Sequence, residues 1–158
     1  MKKVLNTMSL VIGILVLIGS AQLIVSGQSA EGNGATIEGV WQTVVTPRSC
    51  ATGVPVAPTF PGILMFEKGG TMAGTSTAAS SVYGIWGRQS GRRRFSFTTI
   101  SLKYNPSGVL IGSRRISQNV TLDDSGDGFT SDGGFQDFDL NGASTISGCS
   151  SSVGTKFE

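Results

Sequence analysis

Histidine is absent from this chain of 158 residues, and several kinds of chemistry are excluded with it. Without histidine there is no Ser-His-Asp or Cys-His catalysis, no His-ligated metal and no imidazole pH switch. The two cysteines are too few for a thiolate zinc site. Charged residues make up only 14% of the chain, yet 39% of the residues are hydrophobic, which excludes a polar disordered polymer. The 23 glycines follow no triplet period, which excludes collagen, and the length predicts a single domain.

The first thirty residues resemble a secretory signal. Lys2 and Lys3 form a short basic start, and an uncharged apolar run follows over residues 8–25. Small residues come next, but several bonds near Ala21 and Gly27 are suitable for cleavage. We therefore predict a signal peptide over 1–30 and one domain over 31–158, in a secreted or periplasmic bacterial protein. The alternative is an uncleaved N-terminal anchor, since the run is at the lower limit for a membrane span.

Loss of the leader would remove the net positive charge. Lys+Arg falls from 12 to 10 without Lys2 and Lys3, while Asp+Glu stays at 10, so the mature chain is close to neutral. A neutral domain gives no argument for nucleic-acid binding, and we predict none. Contact with a membrane is expected only through an uncleaved leader.

The remaining charges are segregated along the chain. Eight basic residues and no acid lie between Lys68 and Arg115, whereas six aspartates and no base lie between Asp123 and Asp139. One interpretation is two faces that attract each other across neighbouring strands. The other is a basic patch for an anionic ligand or surface.

After residue 30 no stretch has a sustained apolar repeat at helical spacing. Short runs rich in β-formers recur instead, separated by Gly, Asp, Asn and Pro. The predicted strands are 36–46, 62–67, 71–77, 82–88, 93–104, 109–122, 128–138 and 143–157.

The connections decide the topology. Most are too short for a parallel crossover, and they contain the Gly and Asn residues that hairpins need. Eight antiparallel strands must protect their edges, which favours closure into an up-and-down barrel. A two-sheet sandwich is the alternative. The gap over 47–61, with four of the five prolines, is predicted to be an extended loop across one barrel mouth.

The two cysteines provide a test of closure. In a closed meander the first and last strands are antiparallel neighbours, so Cys50, after the first strand, should lie near Cys149 in the last. We predict that they form a disulfide in an exported protein. The alternative is two separate buried thiols.

Gly39-Val40-Trp41 stands at the start of the first strand, where lipocalins have a Gly-x-Trp motif, and Lys156 is placed near the end of the last strand. On these residues the chain resembles the lipocalin-like (calycin) barrels. The resemblance implies that Trp41 closes the barrel floor beneath a basic side chain, here Lys156. Lipocalins usually have Arg there and a helix after the last strand. The eight-strand layout is also similar to bacterial relatives of allene oxide cyclase, which are small barrels without that helix.

Arg114 is the best candidate for a charge that faces the barrel interior. It shares a face with Ile116, Val120 and Leu122, which are expected to be buried. A buried Arg needs a partner. The structural alternative is an aspartate of the seventh strand, such as Asp132 or Asp137, and the functional alternative is a ligand carboxylate or phosphate.

Four further residues are candidates for a ligand site. Glu67, expected near a barrel mouth, together with Tyr83 and Tyr104 has the groups needed for acid–base chemistry in an apolar cavity. The simpler interpretation of Glu67 is a carboxylate in water. Trp86 is a candidate for the cavity lining or the core.

Two Asp-rich segments, 123–128 and 137–142, fit the opening of a calcium loop. Both have Gly where the twelfth-position carboxylate should be, so we predict turns, with no metal and no cofactor.

These observations predict an exported lipocalin-like barrel that binds a small apolar or amphipathic molecule, with an anionic ligand as a further possibility. Such binding needs no ionisable machinery. One alternative is a cyclase or isomerase that acts mainly by holding its substrate in a productive shape. The other is a structural or interaction protein of the cell envelope with a packed barrel.

Overall fold

The computed structural model describes residues 35–157, and these residues form an all-β domain. The predicted leader, residues 1–30, lies outside the described residues. Within 35–157 no helix is long and apolar enough to cross a membrane. The eight strands are β1 (Gly39–Arg48), β2 (Phe60–Phe66), β3 (Thr71–Ser76), β4 (Ala79–Arg88), β5 (Arg94–Tyr104), β6 (Leu110–Leu122), β7 (Gly128–Phe138) and β8 (Ser144–Lys156).

The strands form a closed antiparallel barrel in chain order. Each strand pairs with the next, and β1 also pairs with β8, where Trp41 lies opposite Lys156. The predicted up-and-down barrel is therefore confirmed, and the sandwich alternative is wrong. Because β1 and β8 pair, the sheet has no free edge.

The largest differences in strand bounds concern prolines and a short turn. β1 extends to Arg48 and includes Pro47, because the following loop folds back on it: Val56 donates its backbone N–H to the Pro47 carbonyl at 3.1 Å. β2 begins at Phe60, so Pro61 is its second residue, close to a strand end where a missing N–H is tolerated. β4 begins at Ala79, three residues before its predicted start at 82.

Cys50 and Cys149 form a disulfide, as predicted. Their Cα atoms are 5.1 Å apart, and the bond joins residues 99 positions apart in sequence. The bond links the loop after β1 to β8 next to the pair Arg48–Cys149. Such a bond is compatible with an oxidising location outside the cytosol.

The hydrophobic core fills one end of the barrel, which we call the closed end. It lies beside the β2–β3, β4–β5 and β6–β7 turns. Six aromatic rings there, including the half-buried Trp86, form five edge-on or tilted pairs with centroids 5.0–6.5 Å apart. The buried hydrophobic residues of this cluster are Ile37, Trp41, Phe66, Met72, Phe95, Phe97, Val120, Leu122 and Phe129. The alternating inward residues of the strands supply most of the cluster, because side chains in a strand alternate between faces.

The segment before β1 covers the closed end. Ile37 is fully buried, and its carbonyl accepts a hydrogen bond of 2.8 Å from Trp41 Nε1. Arg88 Nη2 donates to the Ala35 carbonyl at 2.7 Å. Lys156 Nζ lies 5.8 Å from the centroid of the Trp41 ring, within the range of a cation–π contact.

Candidate functional site

The opposite end of the barrel, the mouth, contains a cavity of about 250 Å³. It begins where the core aromatic residues end and extends toward the loop after β1 and the β3–β4 turn. Most of its lining is apolar, and the larger apolar side chains are Val45, Phe60, Leu64, Val82, Phe97, Ile116 and Phe135. Small residues from several strands line it as well, among them Gly62, Ala79 and Ser150. The cavity therefore results from small residues placed among large ones, and the inward positions 148–152 of β8, which hold glycine and serine, are too small to fill it.

The cavity lining also contains a few polar residues, which come from different strands. Gln118 is 6% exposed and donates through Nε2 to Ser150 Oγ at 2.9 Å. Its Oε1 is buried and has no hydrogen-bond partner among the described residues. Hydroxyl groups of Thr43, Thr99 and Ser152 belong to the same lining. An amide oxygen in such a place is an acceptor for a donor group of a ligand.

Three charged side chains meet at the mouth. Asp137 is fully buried, and its Oδ1 accepts a hydrogen bond from Arg114 Nε at 2.6 Å. Its Oδ2 accepts from Arg114 Nη2 at 2.9 Å and from Lys103 Nζ at 2.5 Å. The hydrogen bond from Arg114 holds the pKa of Asp137 below its usual value, with further help from Lys103, although burial opposes the shift. Asp137 is therefore ionised at neutral pH and orients both cations.

Arg114 stands between two spaces. It lines the inner cavity and also a second recess of about 280 Å³ at the rim, where Ser101, Lys103 and Tyr104 are its neighbours. Its guanidinium carbon lies 4.3 Å from the centroid of the Phe135 ring. The Asp137 bonds and the ring contact fix the guanidinium in one orientation at the boundary between apolar cavity and solvent.

The ion pairs connect the two segregated charge stretches. Among the described residues three pairs are formed, and each joins the basic stretch to the acidic one: Arg93 with Asp124, Lys103 with Asp137, and Arg114 with Asp137. Asp137 is thus one of the two partners that the sequence offers for a structural pair with Arg114.

The other predicted ligand residues do not gather around the inner cavity. Glu67 is exposed at the closed end, where its Oε2 accepts from Thr71 Oγ1 at 2.8 Å. Trp86 is half-buried at the same end, packs against Phe66 and donates through Nε1 to the Glu67 carbonyl at 2.9 Å. Tyr83 is 64% exposed on the outer wall. Tyr104 lines the rim recess, so Arg114 and Tyr104 are the candidates that lie at the mouth.

Sequence reasoning missed Lys103 and Gln118. The inward face of β5 runs Phe95, Phe97, Thr99, and two further steps of two residues lead to Ser101 and Lys103. Gln118 lies between Arg114 and Leu122 with the same parity on β6. The alternation of inward and outward side chains along each strand was therefore the signal that both residues face the interior.

The Asp-rich segments form turns. Asp123 Oδ1 accepts hydrogen bonds from Ser125 Oγ and from the backbone N–H of Gly126. The Ser125 bond is the main cause that lowers the pKa of Asp123. Asp139 Oδ1 accepts in the same way from the backbone N–H groups of Asn141 and Ala143. Among the residues that the structure describes, no group of three His, Cys, Asp or Glu side chains is placed to hold a metal ion.

Comparison with known proteins adds no family to this geometry. No protein-family model matches the sequence, and no curated protein matches it.

Proposed function

We propose that this protein is an exported, lipocalin-like (calycin) barrel that binds a small apolar or amphipathic molecule. The observation that carries the proposal is the mostly apolar cavity of about 250 Å³ in the mouth half of the barrel. That volume corresponds to roughly eight water molecules at about 30 Å³ each. Apolar walls that enclose such a space favour an apolar guest over water.

The polar residues of the lining support a guest with one or two polar groups. Gln118 is only 6% exposed, and its Oε1 has no hydrogen-bond partner among the described residues. A buried acceptor without a partner costs about 1–3 kcal/mol, which a donor on the guest would recover. The buried Gln118 acceptor therefore favours an amphipathic guest over a pure hydrocarbon.

Binding explains the cavity better than the two alternatives. A cyclase or isomerase of the kind considered above would be supported by a carboxylate or tyrosine aimed into the cavity, and the described lining contains no Asp, Glu or Tyr. A packed structural barrel would be filled by its own side chains, and in this barrel only the closed end is filled in that way.

Export is supported by two independent features. The leader-like segment over 1–30 has the order of charges and apolar residues that secretory signals have. The Cys50–Cys149 bond is of a type that persists outside the reducing cytosol.

A first experiment identifies the natural guest. Mature protein is purified gently from its native host, and an organic extract of it is analysed by mass spectrometry. One small molecule at a stoichiometric amount is the expected result. An empty extract from protein that also fails to bind an added probe would contradict the proposal.

A second experiment places the guest with 1-decanol as a neutral probe. Val82→Phe adds a ring where Val82 lines the cavity, whereas Ile85→Phe adds it on the outer wall of the same strand, where Ile85 is 66% exposed. We expect Val82→Phe to weaken 1-decanol binding at least tenfold and Ile85→Phe to leave it unchanged, as measured by isothermal titration calorimetry. Equal affinities for the two variants would place the guest outside the cavity.

A further inference from the structure

The three charged groups at the mouth do not balance. Lys103 and Arg114 supply two positive charges, and Asp137 supplies one negative charge. Both oxygens of Asp137 are used: Oδ1 by Arg114 Nε, and Oδ2 by Arg114 Nη2 and Lys103 Nζ. Among the described residues of this cluster, one unit of positive charge is therefore left over.

Lys103 and Arg114 have N–H donors that no described residue uses, and both side chains can be reached by a guest. Arg114 Nη1 makes no hydrogen bond to a described residue, and Lys103 Nζ donates only to Asp137 within the described part of the chain. Their side chains are 26% and 30% exposed, so neither is enclosed by protein. These donors and the surplus charge are suited to one anionic group.

The position of Arg114 connects this anion site with the apolar cavity. Arg114 lines the inner cavity beside Phe135 and also lines the rim recess that contains Lys103 and Ser101. A molecule with an apolar body in the cavity therefore has its outer end at the two cations. The low exposure of Asp137 means that its charge is shielded from a guest by the cations that it holds.

We propose that the guest is an amphipathic carboxylate whose apolar body lies in the cavity and whose carboxylate is bound at the mouth by Lys103 and Arg114. This inference rests on the proposed function and specifies its ligand class. A monoanion matches the single surplus charge of the cluster. A phosphate carrying a second charge would leave one negative charge unmatched beside Asp137.

The test compares decanoate with 1-decanol, which has the same chain without the charge. We measure both affinities at pH 7 by isothermal titration calorimetry. We expect wild type to bind decanoate at least tenfold more tightly, as one charge-assisted hydrogen bond predicts. Lys103→Met, which leaves the Arg114–Asp137 pair intact, should remove most of that preference, so that the ratio of the decanoate and 1-decanol affinities falls toward one. Arg115→Met removes an exposed cation from the next position of β6 and should keep the preference.

The outcomes separate the two proposals. If wild type binds both probes equally, the carboxylate site is overturned while the binding function stands. If it binds neither, both are overturned. If Lys103→Met keeps the full preference, the head group does not lie at the mouth. If Lys103→Met does not fold, the salt dependence of binding to the wild-type protein tests the inference instead. Between 0.05 and 0.5 M NaCl, decanoate binding should weaken more than 1-decanol binding. An equal response of the two affinities would contradict the inference.

Discussion

The closed end and the mouth are built on the same strands, yet one is packed and the other is hollow. At the closed end, inward positions hold Trp41, Phe66 and Phe129, each at most 3% exposed. Toward the mouth, three successive inward positions of β8, from 148 to 152, hold only glycine or serine. The number of strands sets the barrel diameter, and side-chain size then decides whether the interior is filled or open. A ligand site in this fold therefore results from where large residues are omitted.

The strand pair β7–β8 shows this contrast within one ladder. Phe129 lies opposite Gly154, and Phe135 lies opposite Gly148. In both places a methyl group on the glycine would contact the ring of the opposite phenylalanine. The Phe129 ring is surrounded by the core, whereas the Phe135 ring borders the cavity. The same substitution of glycine by alanine should therefore destabilise the protein more at the closed end than at the mouth.

The largest expected effect is the loss of a core ring. Trp41→Ala should lower the free energy of unfolding by about 3–5 kcal/mol, because it leaves a void and removes the hydrogen bond to Ile37. Phe135→Ala should cost less, because its ring already borders an open space. Chemical denaturation monitored by circular dichroism measures both values. A larger loss for Phe135→Ala would mean that the mouth, and not the closed end, holds the barrel together.

A smaller effect is expected from the paired glycines. Gly154→Ala should cost about 1–3 kcal/mol because the Phe129 ring has no room to move. Gly148→Ala should cost less, since the Phe135 ring can shift into the cavity, and it should also weaken binding of 1-decanol. Thermal unfolding and isothermal titration calorimetry of the two variants test this. Equal costs would show that the mouth is as rigid as the core.

The smallest expected effect is on how steeply stability falls at acid pH. The pKa of Asp137 is lowered in the folded protein, so its contribution to stability is present above the unfolded value of about 4 and is lost as pH falls below it. Asp137→Asn should therefore flatten the decline of stability below about pH 4. Asp123 has a pKa shift in the same direction but is exposed in a turn at the closed end, so Asp123→Asn should flatten the curve less. Urea titrations between pH 5 and 2 compare the slopes, and a steeper slope for Asp137→Asn than for wild type would contradict the assignment.

Much of the fold follows from the sequence. The eight strands, their order, closure and the disulfide follow from the period of two, the short Gly- and Asn-containing connections and the placement of Cys50 and Cys149. These are properties of single positions and their spacing. Strand bounds are less certain where a proline is tolerated, as with Pro47 in β1.

Less of the candidate site can be predicted from the sequence. Arg114 can be identified as an inward charge because its parity is visible in one strand. The cavity depends on how residues of different strands meet across the barrel, such as Leu64 on β2 and Ser152 on β8. Register across the sheet and the angle of each side chain decide that meeting, and neither is encoded in a local pattern. Tyr83 is a different case: it has the opposite parity to Val82 and Trp86 on β4, so the alternation along the strand excludes it although its residue type suits a cavity.

The pairing of β1 with β8 also sets an order of events during folding. Seven of the eight strand pairings join chain neighbours, whereas Trp41 and Lys156 are 156 − 41 = 115 residues apart. Local hairpins form early, and contacts between distant residues form late because closing a long loop costs chain entropy. Until β1 meets β8, the meander has two open edges that can pair with other chains. The Cys50–Cys149 bond keeps those two edges near each other even in the unfolded chain, so oxidation shortens the search for closure and limits the time during which the chain can aggregate.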